Sequence, residues 1–231
     1  ATPVSLKTKE VATLPVSKRG KIRVVWSTAG VDYVSKVKQH KHSGFNIGYI
    51  GTVDYSKLHP EFVEICSRIK IPEAHFIICG GNDHLRIESE IKKASLQNKF
   101  TFTGPINDIS KYLSVFDVFG YPLAPYHYGT CDQVLAESMA AGVPPVVLSN
   151  MMESIMIEDK VTGLVANDID DYVTAIKFLY TNKDYRKQLG RSAAEYAKNK
   201  FSISKLVDDW NTIFYEIMTY PKKERQWSIN I

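Results

Sequence analysis

At 231 residues, with 44% hydrophobic and 23% charged residues, the chain has the composition of an ordinary globular protein with enough apolar mass for a core. Its net charge of +4 suits a phosphorylated ligand or an anionic surface and is too weak to mark a nucleic-acid binder. Three cysteines without CxxC spacing (Cys66, Cys79, Cys131) exclude a disulfide framework and a cysteine zinc site, and point to a reducing, cytoplasmic compartment.

In chain order, residues 1–21 are polar, basic and broken by Pro3, Pro15 and Gly20, which predicts an arm with at most a short helix. The chain opens without Met, as expected of a piece of a longer protein. Residues 22–26 read as a short strand, and 35–44 as a basic linker. His40 and His42, two apart, would point away from each other on a helix, so a solvated loop is favoured over a metal pair.

Residues 45–50 alternate and are β-rich, ending on Gly51. A helix over 61–70 places Phe62, Ile65 and Ile69 on one face. A strand at 74–79 ends on Gly80-Gly81, and a charged amphipathic helix follows over 82–98. A strand at 100–103, a short helix at 109–116 and a strand at 118–122 come next. After the strand at 146–148 come a short polar helix at 152–159, a strand at 164–166, and helices at 172–181, 184–200 and 205–219. Strand then helix recurs from 45 to 181 with no run of hairpins, the signature of a parallel sheet covered on both faces. The expected division is an arm and linker at 1–44, an α/β Rossmann-like domain at 45–201, and a C-terminal helix and tail at 202–231. No apolar run reaches the ~18 residues of a spanning helix. The basic run at 222–225 beside Trp227 leaves a peripheral membrane contact open, though a frayed tail is the simpler account.

In a parallel sheet the ligand sits at the carboxyl ends of the strands, where the loops at Gly51, Gly80-Gly81, Gly104 and Gly129 gather. The stretch 127–150, HYGTCDQVLAESMAAGVPPVVLSN, is the richest of these. A glycine-bearing loop opens a helix whose unpaired N–H groups and positive dipole end suit an anion, and Glu137 lies two turns along it. That combination fits a phosphate with a hydroxylated group beside it, as in a nucleotide-sugar. Gly51-Thr52 with Lys57 supplies close backbone approach and a mobile cation, without the spacing of a Walker loop. Arg86, after Gly80-Gly81, is a further phosphate partner, while Asn82 or Asp83 reads as a helix cap. Asp168-Ile169-Asp170 matches a short D-x-D pattern, but its place at a helix start favours capping.

In this order the motifs resemble the C-terminal half of retaining glycosyltransferases of the GT-B fold, the family-four type. That family shows a strand ending G-R-x-x-x-x-K (here Gly51-Thr52 to Lys57), a Gly-rich turn (Gly80-Gly81), F-x-G (Phe102 to Gly104) and D-V-F (Asp117 to Phe119). It continues with E-x7-E and A-M-A-x-G-x-P-V-V (here Glu137 through Val147) and T-G-L-V (Thr162 to Val165). The early G-V-D at Gly30 to Asp32 is similar to the family's linker.

The resemblance implies a metal-independent transfer from a nucleotide-sugar with retention, in polysaccharide or glycoconjugate synthesis, with no cofactor. It gives Lys57 and Glu137 the catalytic roles: neutralising the donor diphosphate and holding the ribose hydroxyls. Phosphates or sugar would meet Gly51, Thr52, Gly81, Arg86, Gly129, Thr130, Cys131, Asp132, Val134 and Leu135, and the base Pro105 and Ile106. Two positions depart from the pattern: Gly129 stands for the first acid of E-x7-E and Thr52 for the arginine, and Asp132 is a candidate substitute for that acid. The acceptor, a glycan or a lipid-linked molecule, would bind a separate N-terminal domain, with the chain at the inner face of a membrane and inactive alone. The rival reading is a non-catalytic Rossmann-like module that binds a nucleotide or a partner protein.

Overall fold

The computed structural model describes residues 3–27, 30–81, 84–127 and 132–221. The phosphate-side positions Gly129, Thr130 and Cys131, the Asn82-Asp83 pair and the basic tail therefore lie outside the described residues. The strands are β1 (Phe45–Ile50), β2 (Ala74–Cys79), β3 (Phe100–Gly104), β4 (Val118–Tyr121), β5 (Pro145–Leu148) and β6 (Leu164–Ala166). They form one sheet in the order β3-β2-β1-β4-β5-β6, every pair parallel. The order reverses between β1 and β4, which makes the crevice above their carboxyl ends the place where a ligand of such a sheet binds.

The helices are α1 (Lys9–Ala12), α2 (Val16–Arg19), α3 (Val31–Val34), α4 (Phe62–Arg68), α5 (Leu85–Lys93) and α6 (Ser110–Leu113). They continue with α7 (Gln133–Ala140), α8 (Glu153–Met156), α9 (Ile169–Thr181), α10 (Lys183–Phe201) and α11 (Ile203–Met218). Each of β1, β4 and β5 is apolar and almost wholly buried, as strands covered on both faces must be. Helices α3, α7 and α10 pack against one another, while α4 contacts α5 and α9. Cys66 and Cys79 are both core thiols.

Asp168 caps α9, its Oδ1 accepting the Asp171 N–H at 2.8 Å, and Asp170 pairs with Arg68. The acids of that D-x-D are thus occupied structurally. Ser202 caps α11 in the same way, through the Lys205 N–H. His40 and His42 turn to different partners, Ser114 and Asp117.

Several elements differ from the sequence reading: the helices expected at 109–116 and 152–159 are the single turns α6 and α8, and α3 was not expected. Residues 22–27 form no strand. Among the described residues no strand of the sheet pairs with them, and the segment docks by side chains instead. Trp26 stands edge-on to Phe201 at 5.2 Å, and Arg23 pairs with Glu216 of α11 at 2.7 Å. Helix α5 ends at Lys93, well short of Asn98, because Ser95 takes a left-handed conformation (φ 57°) and the chain tightens into a short 3-10 turn at Gln97–Lys99. Ahead of β1, Val31 and Val34 are fully buried and join the core, so the stretch read as linker contributes to packing as well.

Close backbone contact between α10 and the turn that ends α7 depends on Gly190, where a Cβ would stand 2.2 Å from the Gly142 carbonyl oxygen. Gly190→Ala is therefore expected to cost about 1.5 kcal/mol by forcing the helices apart. Urea unfolding would show it, and a variant as stable as the parent would mean that the helices yield freely.

Candidate functional site

The carboxyl rim of β1, β2 and β3 is built from glycines that let three backbones meet. The Gly51 N–H donates to the Cys79 carbonyl (2.9 Å) and the Gly80 N–H to the Gly104 carbonyl (3.0 Å). Gly80 has φ +141°, and a Cβ there would fall 1.8 Å from the Gly51 carbonyl oxygen, so no other residue fits. Gly81 sits against Pro105, whose ring a Cβ would approach to 2.8 Å. Pro105 is exposed, and Ile106 is half-buried against the core.

Lys57 is delivered by a tight turn. Asp54 accepts from the Ser56 N–H at 2.8 Å and its carbonyl from the Leu58 N–H at 2.9 Å. The turn is clamped to the loop after β4: the Ala124 N–H donates to the Lys57 carbonyl (2.8 Å) and the His59 N–H to the Pro122 carbonyl (2.9 Å). The Lys57 ammonium then lies 5.1 Å over the Tyr121 ring and 3.7 Å from Asp132 Oδ1. Thr52 lies where the resemblance puts an arginine; its carbonyl accepts the Tyr49 hydroxyl at 2.6 Å.

Asp132 precedes α7 but does not cap it with its side chain. The carboxylate is only 6% exposed and accepts the Tyr121 hydroxyl at 3.2 Å. His127 reaches the same oxygen at 3.9 Å, and Glu153, 1% exposed at the start of α8, lies beside it. The Lys57 ammonium occupies the cationic position against Asp132, so the charge of that one carboxylate is met by a side chain of the chain itself.

Five residues on, about 7.5 Å along the helix axis, Glu137 is half-buried and accepts the Gly30 N–H at 2.9 Å. Burial raises its carboxyl above the usual range, and the Gly30 N–H pulls it part of the way back. The contact between α3 and α7 thus fixes the carboxylate through its Oε1. Val134 is half-buried, whereas the Leu135 side chain is fully buried in the core and its N–H is taken by the Asp132 carbonyl at 3.0 Å.

Arg86 stands apart from this group. It pairs with Glu90 at 3.1 Å and lies 4.9 Å over the Tyr55 ring, on the exposed side of α5. The structure therefore brings together Lys57, Asp132 and the α7 helix carrying Glu137, at the switch point of the sheet. Sequence reasoning missed Tyr121, His127 and Glu153. The signal for Glu153 was a lone carboxylate between Met152 and Met156, on a stripe that helical spacing would bury.

The family model described as glycosyl transferases group 1 matches residues 34–196. The 2-deoxystreptamine N-acetyl-D-glucosaminyltransferase of Niallia circulans is 31% identical over 123 residues, which is 51% of this chain and 31% of that enzyme's own length. A glycosyltransferase from Rickettsia africae superimposes with a TM-score of 0.77 at 18% identity, over 88% of this chain and 59% of its own. HepE of Anabaena in complex with UDP gives 0.69 at 16% identity, over 86% and 57%. At those identities the solved structures speak for the fold alone. The chain spans about a third of the curated relative and little more than half of the solved ones. With the family model covering most of its length, this chain belongs to the group 1 glycosyl transferases and is a GT-B glycosyltransferase domain.

Proposed function

We propose that this chain is the donor-binding half of a retaining glycosyltransferase that takes its sugar from a nucleotide-sugar. The observation that carries the reading is the meeting of Lys57 with the opening of α7 at 3.7 Å, on the helix that also bears Glu137. A diphosphate laid across that opening meets an ammonium and the positive end of the helix dipole, and a ribose one to two turns along meets a carboxylate acceptor. Stabilising the departing diphosphate in this field lowers the barrier to glycosyl transfer without a protein nucleophile or a metal. HepE, of the same fold, binds UDP and UDP-glucose, which supports a nucleotide-sugar donor here. The acceptor, a growing glycan or a lipid-linked sugar, would bind a separate domain on the far side of the cleft. On this reading the protein works in the cytoplasm, in polysaccharide or glycoconjugate synthesis, at or near a membrane. Among the described residues no helix is long and apolar enough to cross one.

A thermal-shift screen of UDP, GDP and ADP tests the donor reading, since a ligand raises apparent stability according to its affinity. One of the three should stabilise the chain; a flat response to all would remove the site. The 231-residue chain alone should bind but transfer nothing, and turnover by it would contradict the half-enzyme view. Thr52 in place of the arginine favours a second reading, a nucleotide-binding module without activity. Sugar-transfer assays on the full protein with UDP-, GDP- and ADP-sugars separate the two.

A further inference from the structure

Among the described residues, four buried side-chain atoms have no hydrogen-bond partner: His84 Nδ1, His127 Nε2, Asp132 Oδ2 and Glu153 Oε1. Three of these belong to one cluster, in which an imidazole nitrogen and two carboxylate oxygens lie within 4.8 Å of one another. Buried polar atoms are rarely left unpaired, and an unpaired charge is the costliest case. The cluster holds two acids and one ammonium, Lys57, so two ionised carboxylates would leave a net negative charge out of water.

We propose that Glu153 is a positioning residue for the donor-diphosphate site, holding one proton in common with Asp132 so that the buried pair carries a single negative charge. The inference rests on the donor-site reading for its functional consequence and on the cluster alone for the proton. As two carboxylates, Asp132 Oδ2 and Glu153 Oε1 can only accept; a proton between them gives each oxygen its missing partner. Asp132 then keeps one charge, enough to fix the Lys57 ammonium and to accept the Tyr121 hydroxyl, and the phosphates meet no second anion.

The groups that face Glu153 agree with this. Asp132 at the opening of α7 and Tyr121 from β4 lie on one side, with Lys57 and His127 from the loops after β1 and β4. Burial, followed by the Asp132 hydrogen bond and charge, pushes the Glu153 carboxyl up to about 8, against a smaller pull from its own backbone N–H and from Lys57. Burial lowers His127, with Asp132 pulling upward and Lys57 downward, so the imidazole is not the missing cation. Burial first, and then Asp132, drives the Tyr121 hydroxyl well above its ordinary value, so it stays a donor.

Two readouts test the proposal, and they fail separately. The first needs no ligand. A carboxyl raised in the folded chain stabilises fully below its unfolded value, near 4.5, and that contribution is lost as pH rises to about 8. The melting temperature of Glu153→Gln should therefore gain on the parent steadily between about pH 5 and 8 and then run parallel to it. Parallel curves across that whole range would overturn the shared proton. The second readout is affinity for the tightest of UDP, GDP and ADP. For the parent it should fall about fivefold between pH 7 and 9, as the second charge appears beside Lys57. For Glu153→Gln it should stay level. A shared proton with level affinity in both proteins would place the cluster outside the donor site. Calorimetric binding of Mn2+ or Zn2+ that is lost in both Glu153→Gln and Asp132→Asn would overturn the proton in favour of a cation.

Discussion

Lys57→Met should weaken binding of the nucleoside diphosphate about 100-fold, close to 2.7 kcal/mol. The ammonium is the cation fixed at the opening of α7, and only 18% of its side chain is exposed, so little of its field is lost to solvent. Methionine keeps the length and the apolar stem that rests over Tyr121, so packing changes little. What goes is the charge, felt twice. The diphosphate loses its partner, and Asp132 is left with the Tyr121 hydroxyl and its acid neighbour. The second effect should lower stability by about 1–3 kcal/mol, since breaking one side of a buried pair costs more than the pair contributed. Titration calorimetry separates it from the first, because affinity is read on the folded protein. Lys57→Arg should recover only part of the binding, as a planar fork does not fit a position built for a point charge. Affinity within about threefold of the parent for Lys57→Met would place the phosphates elsewhere.

Glu137→Ala should weaken the same ligand by about 1.5–3 kcal/mol, through loss of hydrogen bonds from the ribose hydroxyls to a charged acceptor. It also removes the acceptor of the Gly30 N–H, which water can replace at this exposed position, so a stability loss of only about 0.5 kcal/mol should accompany it. Glu137→Gln keeps an acceptor for Gly30 and should restore the stability but not the whole of the affinity. Because burial holds the Glu137 carboxyl above its usual range, the parent should lose affinity as pH falls through that raised value. Glu137→Gln should lack this acid limb. Unaltered affinity in Glu137→Ala would take the residue out of the site.

The strands of the sheet and its longer helices were legible because the core obeys simple rules. Residues 45–50, 74–79 and 118–121 are short apolar runs closed by glycine or proline, and each is a strand. The helix over 61–70 is present as Phe62–Arg68, with Phe62 and Ile65 buried as the spacing demanded. Residues 22–26 look as β-rich as any of these, but a strand exists only where a neighbour completes the ladder, and no local pattern reports that.

The site was legible in part for a similar reason. Lys57 and Glu137 stood out by position relative to strand ends and a helix start. Glu153 lies 21 residues beyond Asp132 in the chain and meets it only through the crossing of β5. Arg86, a cation near a glycine turn, is engaged by Glu90 and Tyr55 on its own face, which no local pattern reports. The D-x-D acids went to a cap, as their place at a helix start led one to expect, and to an ion pair.

The account stands on one claim: diphosphate at Lys57 and ribose at Glu137, in a single ligand. Ligand pieces against the two variants test it most directly, using whichever of UDP, GDP and ADP binds tightest, its monophosphate, and its 2′,3′-dideoxy form. The parent should prefer the diphosphate to the monophosphate, and the ribose form to the dideoxy form. Lys57→Met should erase the first preference while keeping the second, and Glu137→Ala should do the opposite. If both variants retain both preferences, the phosphates and the ribose are held by other residues.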